Sequence, residues 1–419
     1  MEKSGQRRVR PLWCPGTFAI DMRLTAFLLP FLLSLVIQAQ ERVLRIGVMR
    51  ERTMRAVLVM SAKGNCIVYA DGERKGEIQI NDGLRIDATG RGLSAKSLGL
   101  TFTAKKRIEL VPRSESSGTR VRLVDSKLPE RSYPGSMQID AVGSGLELTN
   151  AVPIEAYTAG VVQAEAGKEH AAEYYKLQSV SCRTYALCNH RKHAAQGFDL
   201  CDGVHCQVYH GQCKQDSIQQ AVEATRGMVM VDAQIKLIHA LFHSNCGGET
   251  INAEDLWSKR EPYLRGTVDS YCLAAPHATW RRTLTRTEWL GYLERRFHVR
   301  IADNDMSKSL LNYEPVCRDL YLANLGRLIP LKHVREDLKL NSTFFSVRTT
   351  GEQVVLEGRG FGHGVGLCQE GSMRMAREGK SYTEILHQYY TDVHLMDINT
   401  LDFFREEDPV PATAGPKRK

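Results

Sequence analysis

The stretch VPIEAYTAGVVQAEAGKEHAAEYYKLQSVSCRTYAL, residues 152–187, decides how this chain is read. Pro153 suits the first turn of a helix, where its missing N–H is no loss. Ile154, Tyr157, Val161 and Val162 then recur at helical spacing, and Gly167 is a stop. A second helix follows over 173–193, with Leu177, Val180, Thr184 and Leu187 on one face and Gly197 beyond its end. Gln178, Cys182 and Arg183 lie beside that stripe. A single carboxylate, Glu165, sits where the first apolar run breaks. A solvated helix end is the ordinary explanation of such an acid, but the rest of the chain suggests a sharper one.

Upstream of this helix pair the pattern changes. RVLRIGVM, AVLVMSA, CIVYA, IEL, VRLV and MQIDAVG are short β-branched runs separated by Gly, Asn and Asp turns. Downstream, residues 198–255 are mixed. They hold a Cys/His-rich loop, a helix DSIQQAVEATRG, a hairpin-like MVMVDAQIKLIHALFH and a loop SNCGGETINAEDLW. Residues 285–300 and 330–340 look helical. FFSVRTTGEQVVLEGRGFGHGVG reads as a hairpin running into glycines, and SMRMAREGKSYTEILHQYYTDV as a terminal helix pair. The expectation is an α+β fold. A β-rich region over 41–139 precedes a mixed helix/strand catalytic domain over 140–395 with a central cleft, and a tail occupies 396–419.

Residues 1–40 stand apart. Lys3, Arg7, Arg8, Arg10 and Arg23 precede the apolar run LTAFLLPFLLSLVI and then QAQ, the order of an export signal. Met22 and Arg23 would open a compact signal by themselves. The run is short for a membrane span and Pro30 interrupts it. An exported protein of the periplasm or cell envelope is expected. Without this segment the chain keeps 51 basic and 46 acidic residues, a net charge of +5. That mild, dispersed excess does not argue for nucleic acid, and it suits a partner of diffuse negative charge such as a cell-wall polymer.

Eleven cysteines are many, and seven lie between Cys182 and Cys272. Outside the cytoplasm such a cluster means disulfides, a metal, or both. HAAQGFDLCDGVHCQVYHGQC offers His193, Cys201, His205, Cys206, His210 and Cys213, donor types that zinc prefers. Disulfide pairing is the rival. His243 lies three residues before Cys246, a pair of the kind used in nucleophilic catalysis. GRGFGHGVG lacks the spacing of a dinucleotide fingerprint, so no nucleotide cofactor is expected. Its alternation instead describes a strand with one bare face, open to the close approach of another backbone or a flat ligand, with His363 turned into a cleft; a structural strand packed tightly in the core is the rival.

Three blocks, 152–187, 241–257 (LFHSNCGGETINAEDLW) and 358–390 (GRGFGHGVGLCQEGSMRMAREGKSYTEILHQYY), together resemble the sporulation stage II protein D and amidase-enhancer family (SpoIID/LytB). The resemblance spans roughly residues 140–395. It implies a protein acting on peptidoglycan glycan strands, either as a lytic transglycosylase or as an enhancer of a wall amidase. The family's catalytic glutamate falls on Glu165. Candidate substrate contacts are Gln178, Arg183 and Tyr185 in the first block and His243, Ser244 and Glu249 in the second. Gly362, His363 and Gln369 are those of the third. Similarity in the C…HCQ segment implies zinc held by Cys201, Cys206 and His193.

On the enzymatic reading Glu165 is a single acid/base. It protonates the glycosidic oxygen between MurNAc and GlcNAc, then takes the proton of the MurNAc 6-hydroxyl to leave a 1,6-anhydro end. Substrate-assisted enzymes need no second carboxylate, and burial would keep such an acid protonated near neutral pH. Two alternatives stand beside it: a non-catalytic wall-binding enhancer of an N-acetylmuramoyl-L-alanine amidase, and a wall-peptide hydrolase using Cys246 and His243.

Overall fold

The β-branched runs before Pro153 do become strands, and the turns between them set the register. The computed structural model describes residues 41–50, 54–114, 117–124, 126–257, 259–301, 304–325 and 328–400. The expected signal segment and nearly all of the tail lie outside them. Strands β1 (Val43–Val48), β2 (Ala56–Ser61), β3 (Cys66–Ala70), β4 (Glu73–Ile78), β5 (Gly83–Thr89) and β6 (Gly92–Lys96) come first. β7 (Thr101–Ala104), β8 (Arg107–Pro112), β9 (Gly118–Leu123), β10 (Arg131–Pro134), β11 (Ser136–Val142) and β12 (Gly145–Pro153) follow. Asp71 and Gly72 both have positive φ, 49° and 86°, the turn that joins β3 to β4 without splaying them.

These strands form two sheets. One has the order β10-β9-β2-β5-β6-β7, and the other runs β1-β12-β11-β8-β3-β4. Alternation puts Val57 and Val59 of β2 and Val121 of β9 inside, where they share one buried cluster with Ile46, Ile108, Leu110, Ile139 and Leu148 of the other sheet. Six of these strands have no counterpart among the expected runs: β4, β5, β6, β7 and β10, which carry polar or small residues at many positions, and β12.

Helix α1 (Ile154–Ala166) starts directly after Pro153, and α2 (Ala172–Cys188) follows the break at Gly167. Then come β13 (Leu200–Cys201), α3 (Asp216–Ala224), β14 (Met228–Val231), β15 (Phe242–His243), the single turn α4 (Glu254–Trp257) and β16 (Thr279–Thr285). α5 (Arg286–Phe297), α6 (Asn304–Leu311), α7 (Leu331–Leu338), β17 (Phe345–Thr350), β18 (Gln353–Arg359) and β19 (Leu367–Cys368) form the next stretch. α8 (Gln369–Arg377), α9 (Tyr382–Tyr389) and β20 (His394–Asp397) end it. Capping boxes open α5, from Thr285 and Glu288, and α9, from Ser381 and Glu384.

β13 extends the sheet of β1 in parallel, so the Cys/His loop is welded to the β-rich region. The expected hairpin at 228–243 does not pair with itself along its length: β14 pairs with β20, and β15 with β19. Strands β16, β18 and β17 carry α5, α6 and α7 on a second core of Trp289, Leu293, Leu310, Val334, Val347 and Leu356. The architecture is thus a two-sheet β-rich region followed by a mixed α/β region.

One buried ion pair binds the helices. Glu155, in the first turn of α1, takes a forked hydrogen bond from Arg183 of α2, and both side chains are nearly free of solvent. Arg183 Nη1 also donates to the Met228 carbonyl at 3.0 Å, and the Gly227 N–H donates to Glu155 at 3.1 Å. Removing one partner strands the other's charge, a loss of about 3–5 kcal/mol. Arg183→Ala should lower the urea midpoint accordingly, and a change under about 1 kcal/mol would show the pair to be dispensable.

Candidate functional site

Glu165 lies in the last turn of α1 and is half-buried. Its Oε1 accepts the N–H of Val208 at 2.7 Å. Burial pushes the carboxyl above the usual carboxylate range, and the Val208 N–H opposes that shift. Gln369 Nε2 reaches the Glu165 carbonyl at 3.5 Å, so the third sequence block meets the first here.

Val208 belongs to the loop after β13, and that loop carries the thiols. Asp199 and Asp202 staple it to β1, accepting the N–H of Arg45 at 2.7 Å and of Met49 at 2.9 Å. His193 Nε2 lies 3.4 Å from Cys206 Sγ, and His205 Nδ1 lies 3.8 and 3.7 Å from the sulfurs of Cys201 and Cys206. All four donor atoms fall within 4.8 Å of one another. Tetrahedral zinc with bonds of 2.0–2.3 Å separates its donors by about 3.3–3.8 Å, so the set fits such an ion. Gln196 Oε1 engages the other nitrogen of His193 and fixes how the ring presents Nε2. Of the six donors that the sequence offered, the structure brings together His193, Cys201, His205 and Cys206, one more than the three that the resemblance implied.

The expected substrate contacts scatter. Arg183 is fully buried in its ion pair with Glu155 and cannot meet a polymer. Gln178 is likewise fully buried. Tyr185 is 9% exposed and accepts from Lys192 at 3.4 Å beside the Cys/His loop. The resemblance marked these positions as contacts, and the fold turns them into the core. Glu249 Oε1 accepts the Arg318 N–H at 2.9 Å, and the Ser244 carbonyl accepts that of Glu370 at 3.0 Å. Gln369 is buried at the start of α8.

The glycine stretch is not the expected strand. β18 ends at Arg359, and Gly360, Gly362, Gly364 and Gly366 have φ of 77°, 120°, 84° and 71°. Alternation here marks repeated left-handed backbone, which glycine alone adopts freely. It also marks close approach: a Cβ on Gly366 would lie 2.3 Å from the Leu241 carbonyl, and one on Gly362 would lie 2.7 Å from the His243 Cβ. The glycines admit the 241–247 backbone, not a bare-faced sheet edge. His363, between them, bonds the Phe242 carbonyl at 3.0 Å and sits 5.2 Å from the His243 ring. Burial pulls His363 down to about 4 and His243 well below its ordinary range, so both rings are neutral at physiological pH.

Cys246 and His243 do not pair. The His243 Nδ1 faces the Val365 carbonyl at 3.2 Å, while Cys246 Sγ lies 3.3 Å from Asp269 and 3.4 Å from the Cys272 sulfur. The thiol-hydrolase reading is therefore set aside.

A carboxyl whose pKa is higher folded than unfolded stabilises the fold most fully below its unfolded pKa, and that contribution is lost as pH rises through its folded one. Glu165→Gln keeps an oxygen for the Val208 N–H. It should match wild type in acid and become the more stable of the two as pH rises to neutral. Thermal unfolding across that range checks this, and a variant less stable than wild type at neutral pH contradicts it.

Comparison with known proteins bears on what this site does. A family model described as stage II sporulation protein (SpoIID) matches residues 142–231. An uncharacterised protein of Brachyspira hyodysenteriae is 30% identical over 290 residues, 66% of this chain and 75% of that one. Stage II sporulation protein D of Bacillus amyloliquefaciens is 29% identical over 269 residues, 60% of this chain and 76% of its own. The amidase enhancer of Bacillus subtilis is 24% identical over 284 residues, which cover 55% of this chain and 39% of that protein. The expectation of a lytic transglycosylase with Glu165 as acid/base is corrected by this last relationship. The relative whose name states an action is an enhancer of another enzyme, and the likeness favours an accessory role over a glycan-cleaving one. The chain belongs to the SpoIID family of stage II sporulation proteins.

Proposed function

We propose that this protein is a non-catalytic, wall-binding enhancer of an N-acetylmuramoyl-L-alanine amidase. The observation that carries this reading is its similarity to the amidase enhancer. The engagement of Glu165 fits it, since the carboxylate accepts a backbone N–H and anchors the Cys/His loop. The export signal read in residues 1–40 would deliver the protein to the cell envelope. Among the described residues no helix is long and apolar enough to cross a membrane.

The wall polymer would bind where the glycine stretch meets exposed aromatic rings. Trp257 is 41% exposed with its ring 5.3 Å from that of His363, and Phe361 is 37% exposed at 5.3 Å from His277. These rings offer apolar faces to the C–H faces of sugars and polar edges to their hydroxyls. On this reading Gly362 and His363 shape the surface from behind.

The test pairs the purified protein with an amidase on isolated cell walls. Stem-peptide release by the amidase should rise several-fold when the protein is present, and Glu165→Gln should enhance as well as wild type. An amidase rate indifferent to the protein overturns the proposal. Trp257→Ala should reduce co-sedimentation with walls several-fold with the melting temperature little changed. Unaltered sedimentation would place the wall contact elsewhere.

A further inference from the structure

A second group of metal-binding side chains lies away from the Cys/His loop. Cys246, Asp269, Cys272 and Cys368 are each completely buried, and one donor atom from each falls within 4.8 Å of the other three. They come from three parts of the chain: the loop after β15, the turn at 269–272, and the junction of β19 with α8. We propose that they form a closed, four-ligand zinc centre, distinct from the one at His193, Cys201, His205 and Cys206.

Four observations converge on it. The first is spacing. Cys246 Sγ lies 3.4 Å from Cys272 Sγ and 3.3 Å from Asp269 Oδ2. Thiolates around tetrahedral zinc, at about 2.3 Å from the ion, stand about 3.8 Å apart, so little movement would seat the metal. The second is the surroundings of the sulfurs. Cys368 Sγ faces the backbone N–H groups of Cys246 at 3.3 Å and Gly371 at 3.4 Å. Donors aimed at sulfur favour the thiolate form that a metal needs.

The third is the carboxylate's support. Asp269 Oδ2 accepts the Tyr389 hydroxyl at 2.9 Å, and Oδ1 accepts the Tyr271 N–H at 3.0 Å. Gly371 makes room for it, because a Cβ there would stand 2.2 Å from Asp269 Oδ2. The fourth is charge. Three thiolates and a carboxylate around Zn²⁺ carry a net charge of −2. Arg318, buried beside them, donates to the Cys246 carbonyl at 2.6 Å, while its Nε and Nη1 have no hydrogen-bond partner among the described residues. A buried cation so poorly paired is costly beside neutral thiols and favourable beside an anionic centre.

All four positions are filled by protein, so the centre is structural. Binding converts three thiols to thiolates and releases three protons to solvent, with no change of oxidation state. The ion would clip the Cys246 loop to the start of α8, and so fix the backbone against which the glycine stretch packs. It rests on these side chains alone and not on the amidase proposal.

Two measurements test it on the full exported protein. Cys201→Ser/Cys206→Ser, which leaves the buried group untouched, should retain one zinc ion per chain by elemental analysis after zinc repletion and desalting. In crystals of the wild type grown with zinc, diffraction at the zinc absorption edge should place an anomalous peak between Cys246, Asp269, Cys272 and Cys368. A wild-type map without that peak overturns the proposal, whether the thiols are then free or Cys246 and Cys272 are joined in a disulfide. A double variant that folds and holds no zinc overturns it equally.

Discussion

The carboxylate of Glu155 and the guanidinium of Arg183 are shut away from water, and each is tolerable there only because of the other. Their pairing fixes how α1 lies against α2. Because Arg183 also donates to the Met228 carbonyl and Glu155 accepts from Gly227, it fixes the start of β14 too. β14 then pairs with β20, which brings the end of the described chain back to the helix pair. The position of Glu165, three turns along α1 from Glu155, follows from that frame.

From there the structure passes its constraints outward through backbone contacts. Glu165 holds Val208, and Val208 belongs to a loop whose other end is paired to β1. Gln369 ties the same helix end to α8, whose first turn is capped by the Cys368 sulfur. The residues that the sequence made conspicuous as chemistry are thus largely joints between segments. On the enhancer reading proposed above, such joints would hold a defined surface for a polymer or a partner.

Much of this was legible in the sequence. Helical spacing located α1 and α2, the run SMRMAREGKSYTEILHQYYTDV located α8 and α9, and β-branched runs located β1, β2, β3, β8, β9 and β11. The three blocks identified the family. The failures have physical causes. A family resemblance matches positions but does not show which of them meet solvent, so Gln178 and Arg183 were taken as candidate contacts although both are buried. Glycines two apart look like a strand with a bare side, yet positive φ at Gly360, Gly362, Gly364 and Gly366 is a property of the backbone that spacing cannot reveal. Cys272 and Cys368 lie 26 and 122 residues from Cys246, and only the fold brings the three sulfurs together. His205, next to Cys206, was among the donors that the sequence offered, and only the set implied by the resemblance, with its one histidine, omitted it.

The central claim is that the protein aids an amidase and cuts nothing itself. Mass spectrometry of the fragments released from purified, amidase-accessible cell walls tests it most directly, with the protein alone, the amidase alone and the two together. The account predicts no soluble fragments from the protein alone. With both present it predicts more of the amidase's own products, free stem peptides and intact glycan. Release of 1,6-anhydro muropeptides by the protein alone, lost in Glu165→Gln, would contradict it.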